Sequence, residues 1–181
     1  DGVPALVART GARVHAPADA RLRFEARTVA GGDRFQAAGM SVEVLSVPGH
    51  TRSHLAFRVE GHLFCGDTLF AGGCGRLFEG SAAQMRDSLQ RLAALPPVTR
   101  VWCAHEYTEA NLRWAAATLD PQDPCAAAIG TRLAAVRQAR ARGEATIPSS
   151  VELELATNLF VRASSAEQLA TLRASKDNWA G

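Results

Sequence analysis

The sequence predicts an α+β protein, with a layered αββα domain carrying a small helical C-terminal domain. Three observations lead there. Short segments with β-branched residues crowd the first half, one helical stretch crosses between two of them, and everything after Tyr107 has helical spacing interrupted by Pro and Gly. At 181 residues and 47% hydrophobic content, the chain can bury a core of ordinary size, in one domain plus an appendage.

The elements follow in order. The chain opens on Asp1 and passes at once into Val3-Pro4-Ala5-Leu6-Val7, which reads as the middle of an element, so a truncated product is expected. Residues 12–15 and 42–47 alternate in part between apolar and polar and read as strands with one buried face. His54 to Val59 and His62 to Cys65 are two further strands, joined through Glu60-Gly61 as a tight hairpin. Ala82, Met85, Leu89, Leu92 and Leu95 recur at helical spacing until Pro96-Pro97 stops the helix, and Thr99 to Ala104 returns to strand. Helices are then expected over 109–119, 126–142, 151–157 and 166–173, separated by Pro121, Pro124, Gly143 and Pro148. Ser149 with Glu152 reads as a capping box for the third of these. Arg132, Arg137, Arg140 and Arg142, set in an alanine-rich background, read as solvated helix surface. The division falls between 1–107, a partial layered domain, and 108–181, the helical part.

Composition excludes several classes. Twenty Lys+Arg against 18 Asp+Glu leave a formal charge of +2, too little for an extended nucleic-acid surface, so any anion site must be local. No apolar run approaches the ~20 residues that span a bilayer. Cys65, Cys74, Cys103 and Cys125 are far apart and form no CxxC pair, which suggests neither a zinc knuckle nor a disulfide framework and makes a reducing cytoplasm the expected compartment.

Three polar clusters stand directly after predicted strands: Pro48-Gly49-His50-Thr51, Gly66-Asp67-Thr68 and Ala104-His105-Glu106-Tyr107. Strand ends aim side chains into a shared crevice, and imidazole nitrogen with carboxylate oxygen suits zinc, iron or manganese. The plainer reading of each remains open at this stage. A lone His at a strand end is usually hydrogen-bonded structure, and Asp67 in that setting satisfies backbone amides as an Asx turn. His15, His54 and His62 read as structural, with His54 placed to support His50 four residues away. Ala71-Gly72-Gly73-Cys74-Gly75-Arg76 lacks the Lys-Ser/Thr of a phosphate loop; its glycines allow close backbone approach, and Arg76 can offer a guanidinium to a carboxylate. Cys74, with no base assignable to it, reads as inert packing.

These words, in their order, resemble the hydroxyacylglutathione hydrolase (glyoxalase II) family of the metallo-β-lactamase superfamily. The resemblance runs through Pro48-Gly49-His50-Thr51, Gly66-Asp67-Thr68-Leu69-Phe70, Gly73-Cys74-Gly75-Arg76-Leu77-Phe78-Glu79-Gly80 and His105-Glu106-Tyr107-Thr108. It continues through Thr146-Ile147-Pro148-Ser149-Ser150, Ala156-Thr157-Asn158-Leu159-Phe160-Val161-Arg162 and Arg173-Ala174-Ser175-Lys176, covering essentially the whole chain. It implies a metallo-β-lactamase-like αββα sandwich, incomplete here in its first strands, with two divalent metal ions, zinc or else iron or manganese, held by seven protein ligands. By resemblance His50 serves one metal, His105 the other, and Asp67 bridges them. The remaining ligands belong to an His-x-His-x-Asp-His motif that this sequence does not contain, and a continuation like Asp1-Gly2-Val3 normally follows that motif.

The same resemblance assigns glutathione contacts to Arg76, Tyr107, Arg173 and Lys176. It places Phe78 where a tyrosine is often found, a loss of one hydroxyl hydrogen bond worth ~1 kcal/mol. Arg173 and Lys176, three residues apart, share a helix face and can meet one anion together. The implied reaction is hydrolysis of S-D-lactoylglutathione or a similar 2-hydroxyacyl thiolester by metal-activated hydroxide, the second step of methylglyoxal detoxification, in a monomeric enzyme with no nucleic-acid or membrane partner. Two alternatives stand beside it: a persulfide dioxygenase with a single iron, or a non-catalytic remnant that keeps only ligand or partner binding.

Overall fold

The computed structural model describes residues 2–180; Asp1 and Gly181, including the first residue of the expected motif continuation, lie outside the described residues. The chain begins with helix α1 (Val3–Thr10), which buries none of its side chains, and then enters two short strands, β1 (His15–Ala16) and β2 (Arg27–Thr28), paired in parallel. The expected strand at 12–15 is thus displaced to the two residues His15–Ala16.

One six-stranded sheet organises the molecule. It is built from β3 (Arg34–Ala37), β4 (Met40–Ser46), β5 (Leu55–Val59), β6 (His62–Gly66), β9 (Arg100–Cys103) and β10 (Ser149–Ser150), in the order β10-β9-β6-β5-β4-β3. Between β6 and β9 the chain makes a small ribbon, β7 (Leu69–Phe70) and β8 (Gly73–Cys74), and then helix α2 (Ala82–Ala93). Within this sheet only β6 and β9 run parallel, joined by a crossover that contains α2; the other neighbours are antiparallel. The β5–β6 hairpin turns as the sequence predicts, with Glu60 in the left-handed region at φ 51. Ser81 and Gln84 cap α2 with a reciprocal capping box that the sequence reading missed.

The two faces of the sheet differ. On one, Ala56, Leu63, Cys65 and Val101 are fully buried in a core shared with Met85, Leu89 and Leu92 of α2. The alternation in β6 puts His62 and Phe64 on the opposite face, where Phe64 stacks on Trp102 at 6.2 Å and stays 46% exposed.

The later chain is helical: α3 (Thr108–Thr118), α4 (Ala126–Ala141), α5 (Val151–Thr157) and α6 (Ala166–Asp177), the last reaching four residues beyond its predicted end at 173. Buried residues of these helices, among them Leu112, Trp114, Ile129 and Leu169, and Phe160 between α5 and α6, join the core on the covered face of the sheet. None of the helices among the described residues is long and apolar enough to cross a membrane. All four cysteines are free thiols.

Two expectations are corrected. The third helix of this region is capped by Ser150, whose hydroxyl accepts from the Leu153 amide, not by Ser149 with Glu152. Ser149 instead lies in β10, and its hydroxyl donates to Glu154. The second concerns Arg132, which is not solvated surface. Its side chain is 9% exposed and pairs at 2.7 Å with Glu154, whose own side chain is 1% exposed. Arg137, Arg140 and Arg142 are exposed as expected and meet Glu109, Glu106 and Glu144 at the surface.

Removing one partner of a buried pair leaves the other charge without compensation, whereas exposed pairs contribute little. We expect Arg132→Met to cost about 3–5 kcal/mol in urea unfolding and Arg137→Ala less than about 1 kcal/mol. Equal losses would mean that Glu154 is relieved by some other group.

Candidate active site at the strand ends

Three chain segments leaving the same sheet supply the site. After β4 the chain turns through Pro48-Gly49-His50, β6 delivers Asp67, and β9 delivers His105. His50 Nε2 lies 3.8 Å from Asp67 Oδ2, and His105 Nε2 lies 3.3 Å from Asp67 Oδ1, so two imidazoles face different oxygens of one carboxylate. The His50 ring has a fixed orientation. The Arg76 carbonyl, an acceptor only, takes a hydrogen bond from His50 Nδ1 at 2.8 Å, so Nδ1 carries a proton and Nε2 is the nitrogen that faces Asp67.

Asp67 is held from behind by His54, whose Nε2 accepts from the Asp67 amide at 3.2 Å. Burial, and then the neighbouring His50, hold the His54 pKa below the usual imidazole range, which keeps Nε2 available as an acceptor. The support expected of His54 therefore acts through the Asp67 backbone, with an edge-on ring contact to His50 at 5.7 Å. The segment carrying His50 is also anchored at its far side, where Glu79 accepts from the Arg52 amide at 2.9 Å and pairs with Arg21. Asp19, which shares Arg21, accepts from Ser53 at 2.9 Å. The hydrogen bonds from Arg52 and Arg21 hold Glu79 below the ordinary carboxylate range, and those from Arg21 and Ser53 do the same for Asp19.

Backbone proximity closes the site. A Cβ on Gly75 would stand 1.9 Å from the Asp67 carbonyl oxygen and 3.2 Å from His50 Nδ1. Only glycine lets strand β8 leave the ribbon this close to the two candidate ligands.

His50, Asp67 and His105 line a cavity of about 500 Å³, and Arg76, Phe78, Tyr107, Arg173 and Lys176 line it with them. Tyr107 stacks on His105 with ring centroids 5.0 Å apart, and the exposed Phe78 ring lies 4.9 Å from His50. Arg173 is 8% exposed. It donates to the Cys74 carbonyl at 2.9 Å, pairs with Asp177 at 3.0 Å and lies over the Phe160 ring, while its Nε is buried with no hydrogen-bond partner among the described residues. Arg76 reaches the same Asp177 oxygen at 3.3 Å. Lys176 donates to the Ala110 carbonyl and sits 4.5 Å over the Trp179 ring; burial, reinforced by Arg173, lowers its pKa. The Cys74 thiol is pushed up to about 12 by burial, which leaves no thiolate for nucleophilic chemistry at neutral pH.

The sequence reading missed Asp177 and Trp179. Asp177 could have been found, since it stands four residues after Arg173, a helical ion-pair spacing. Trp179 carried no such signal, because its part is to stack under the Lys176 ammonium.

Residues 5–105 match the metallo-beta-lactamase superfamily, and residues 106–179 match the family described as hydroxyacylglutathione hydrolase C-terminus. Over 189 aligned residues the chain is 51% identical to the hydroxyacylglutathione hydrolase of Synechococcus sp. strain CC9605, spanning 98% of this chain and 74% of that one. This chain belongs to the hydroxyacylglutathione hydrolase family. The Pseudomonas fluorescens SBW25 hydroxyacylglutathione hydrolase is 47% identical over 99% of this chain and 70% of its own, and that of Prochlorococcus marinus MIT 9303 is 52% identical over 88% and 63%. Among solved structures, ETHE1 from Myxococcus xanthus superposes with a TM-score of 0.68 at 25% identity, covering 96% of this chain and 62% of that one. A metallo-beta-lactamase from Staphylococcus aureus superposes with a TM-score of 0.64 at 19% identity, covering 98% and 48%. The metallo-β-lactamase fold is thus shared, and this chain spans part of the length of each protein compared.

The Gly75 contact has a direct energetic consequence for this member of the family. Gly75→Ala forces the Asp67 and Gly75 backbones apart, and we expect a loss of about 1–3 kcal/mol in thermal or urea unfolding. Unchanged stability would show that the two backbones separate freely.

Proposed function

We propose that the chain carries the substrate-recognition surface and one side of the metal centre of an enzyme that hydrolyses S-2-hydroxyacylglutathione thiolesters, S-D-lactoylglutathione being the first to try. The observation that carries this is convergence. The His50–Asp67–His105 cluster and the cationic and aromatic groups Arg76, Tyr107, Arg173 and Lys176 border one cavity. Glutathione has two carboxylates, and at the end of the cavity away from Asp67 three cationic side chains, Arg76, Arg173 and Lys176, stand against the carboxylate of Asp177. The 50% level of identity with enzymes named for this activity supports the same reading.

The family implies two divalent ions at this cluster. A bridging carboxylate between two imidazoles has suitable chemistry, but zinc takes three or four protein ligands. Among the described residues no group of three or more His, Cys, Asp or Glu side chains is arranged to hold an ion. His50, Asp67 and His105 therefore do not form a complete site by themselves. What the chain supplies to turnover is recognition and orientation.

In this reading Arg76 and Arg173, already gathered around Asp177, meet a glutathione carboxylate. Lys176 adds a second positive charge on the same helix face. The thiolester would then lie toward Phe78, His50 and His105, where water adds to the carbonyl carbon, the C–S bond breaks, and the 2-hydroxy acid and glutathione leave. We assign residues 108–181 to the helical substrate-binding part and residues 1–107 to the metallo-β-lactamase-like part, with the cavity between them.

Calorimetry with glutathione on the metal-free chain tests recognition. Binding is expected, and Arg76→Ala should weaken it about tenfold, as loss of a charge-assisted hydrogen bond implies. Release of free thiol from S-D-lactoylglutathione, with zinc supplied, tests the reaction. From the donor count, the 181-residue chain alone should retain well under two metal equivalents after dialysis and cleave little. Absence of glutathione binding would overturn the recognition reading. Oxygen uptake with glutathione persulfide in place of thiol release would reassign the chemistry to a dioxygenase.

A further inference from the structure

The turn between β7 and β8 is gripped almost entirely by side chains from the helical half. Asn158 Nδ2 donates to the carbonyls of Phe70 at 3.3 Å and Gly73 at 2.9 Å, and Asn111 Nδ2 donates to the Ala71 carbonyl at 3.1 Å. The Gly72 amide donates to Glu154 Oε2 at 2.8 Å. Asn158, fully buried, also donates to that Glu154 oxygen at 2.8 Å, while its own Oδ1 accepts from the Phe160 amide at 3.0 Å. The other Glu154 oxygen, Oε1, is taken up by Arg132 and Ser149 and does not touch the turn. Glu154 thus has two working sides, one toward the turn and one toward α4.

Just beyond this turn the chain becomes the wall of the cavity. Gly75 donates to the Thr68 carbonyl at 3.2 Å, and the Arg76 carbonyl fixes the His50 ring at 2.8 Å. The Arg76 side chain is 64% exposed and among the described residues has only Asp177 to hold it, so its location is set by its backbone.

We propose that Asn158 and Glu154, although they lie outside the cavity lining, are positioning residues for substrate. From α5 and its C-terminal cap they fix the backbone of residues 70–73, and through it they set where Arg76 meets the substrate carboxylate and how the His50 ring is turned. The proposal rests on the reading of Arg76 as a substrate contact. It follows from geometry: an arginine presented by a turn whose carbonyls and amide are each saturated from a neighbouring helix loses little freedom on binding, and preorganisation of that kind lowers the cost of association.

The variants that test it are Asn158→Ala, Glu154→Gln and Ser149→Ala. Ser149→Ala damages the same buried network but only on the side away from the turn. In Asn158→Ala and Glu154→Gln, the amides of Gly72 and Gly75 should exchange with deuterium about tenfold faster relative to those of α2, and glutathione affinity should fall about fivefold or more. Ser149→Ala should leave both within about twofold of the parent, even where it lowers overall stability. Parent-like exchange and affinity in the first two variants, or an equal loss in Ser149→Ala, would overturn the proposal. Should the first two not fold, hydrogen exchange of the parent in rising urea decides. Gly72 and Gly75 must then open together with α5, and opening at lower free energy than α5 refutes the coupling. Failure of the parent to bind glutathione would instead remove the recognition reading, leaving the exchange result as a separate statement about the turn.

Discussion

A carboxylate that keeps only 1% of its surface in contact with water has to be answered on every side by protein, and Glu154 is that carboxylate. The desolvation of an ionised group costs several kcal/mol unless charge and hydrogen bonds replace the lost water. Here a guanidinium from α4, a hydroxyl from β10, an amide side chain at the end of α5 and a main-chain amide from the β7–β8 turn replace it together. Those four groups come from different parts of the chain, so satisfying one side chain ties the helices to the sheet. The two matched family segments, 5–105 and 106–179, meet across this residue's contacts, and the helical segment cannot be regarded as a detachable accessory.

The close contact at Gly75 works in the same direction. With no side chain there, the turn descends onto the Asp67 carbonyl, and the carbonyl that follows it aligns His50. The orientation of a candidate ligand is therefore inherited from main-chain packing and not from another charged side chain. His54 repeats the device on the opposite side by holding the Asp67 amide. Rigid backbone on both sides of one carboxylate is how the site keeps its shape when none of its three donors is deeply enclosed; His105 in particular remains about half exposed.

Much of this could be read in the sequence. Strands β4, β5 and β6 announce themselves by alternation, α2 by its apolar spacing and its proline stop, and the three polar clusters by their places at strand ends. Strands of two residues, such as β1, β2, β7, β8 and β10, have no period to detect. Arg132 was misread because its neighbours in sequence are alanines and small residues, while the carboxylate that defines it lies 22 positions away. Ser149 and Ser150 are adjacent hydroxyls, and only the backbone decides which one caps and which one turns inward to Glu154. Within the site, residues bearing charge or a ring in a quoted motif were visible; Trp179 and the supporting amides of Asn111 and Asn158 were not, since their roles depend on where a distant turn is brought to rest.

The bonds that finish the cavity are long in sequence. Arg173 reaches back 99 positions to Cys74, Asn158 reaches back 88 to Phe70, and Glu154 reaches back 82 to Gly72. Ribosomes add about 5–20 residues per second, so roughly 5–20 s separate the synthesis of the turn from that of its last partner. During that interval a nascent chain can own most of its sheet and none of these helical contacts to the turn. The last of these anchors to the turn, Arg173, consequently arrives only with α6.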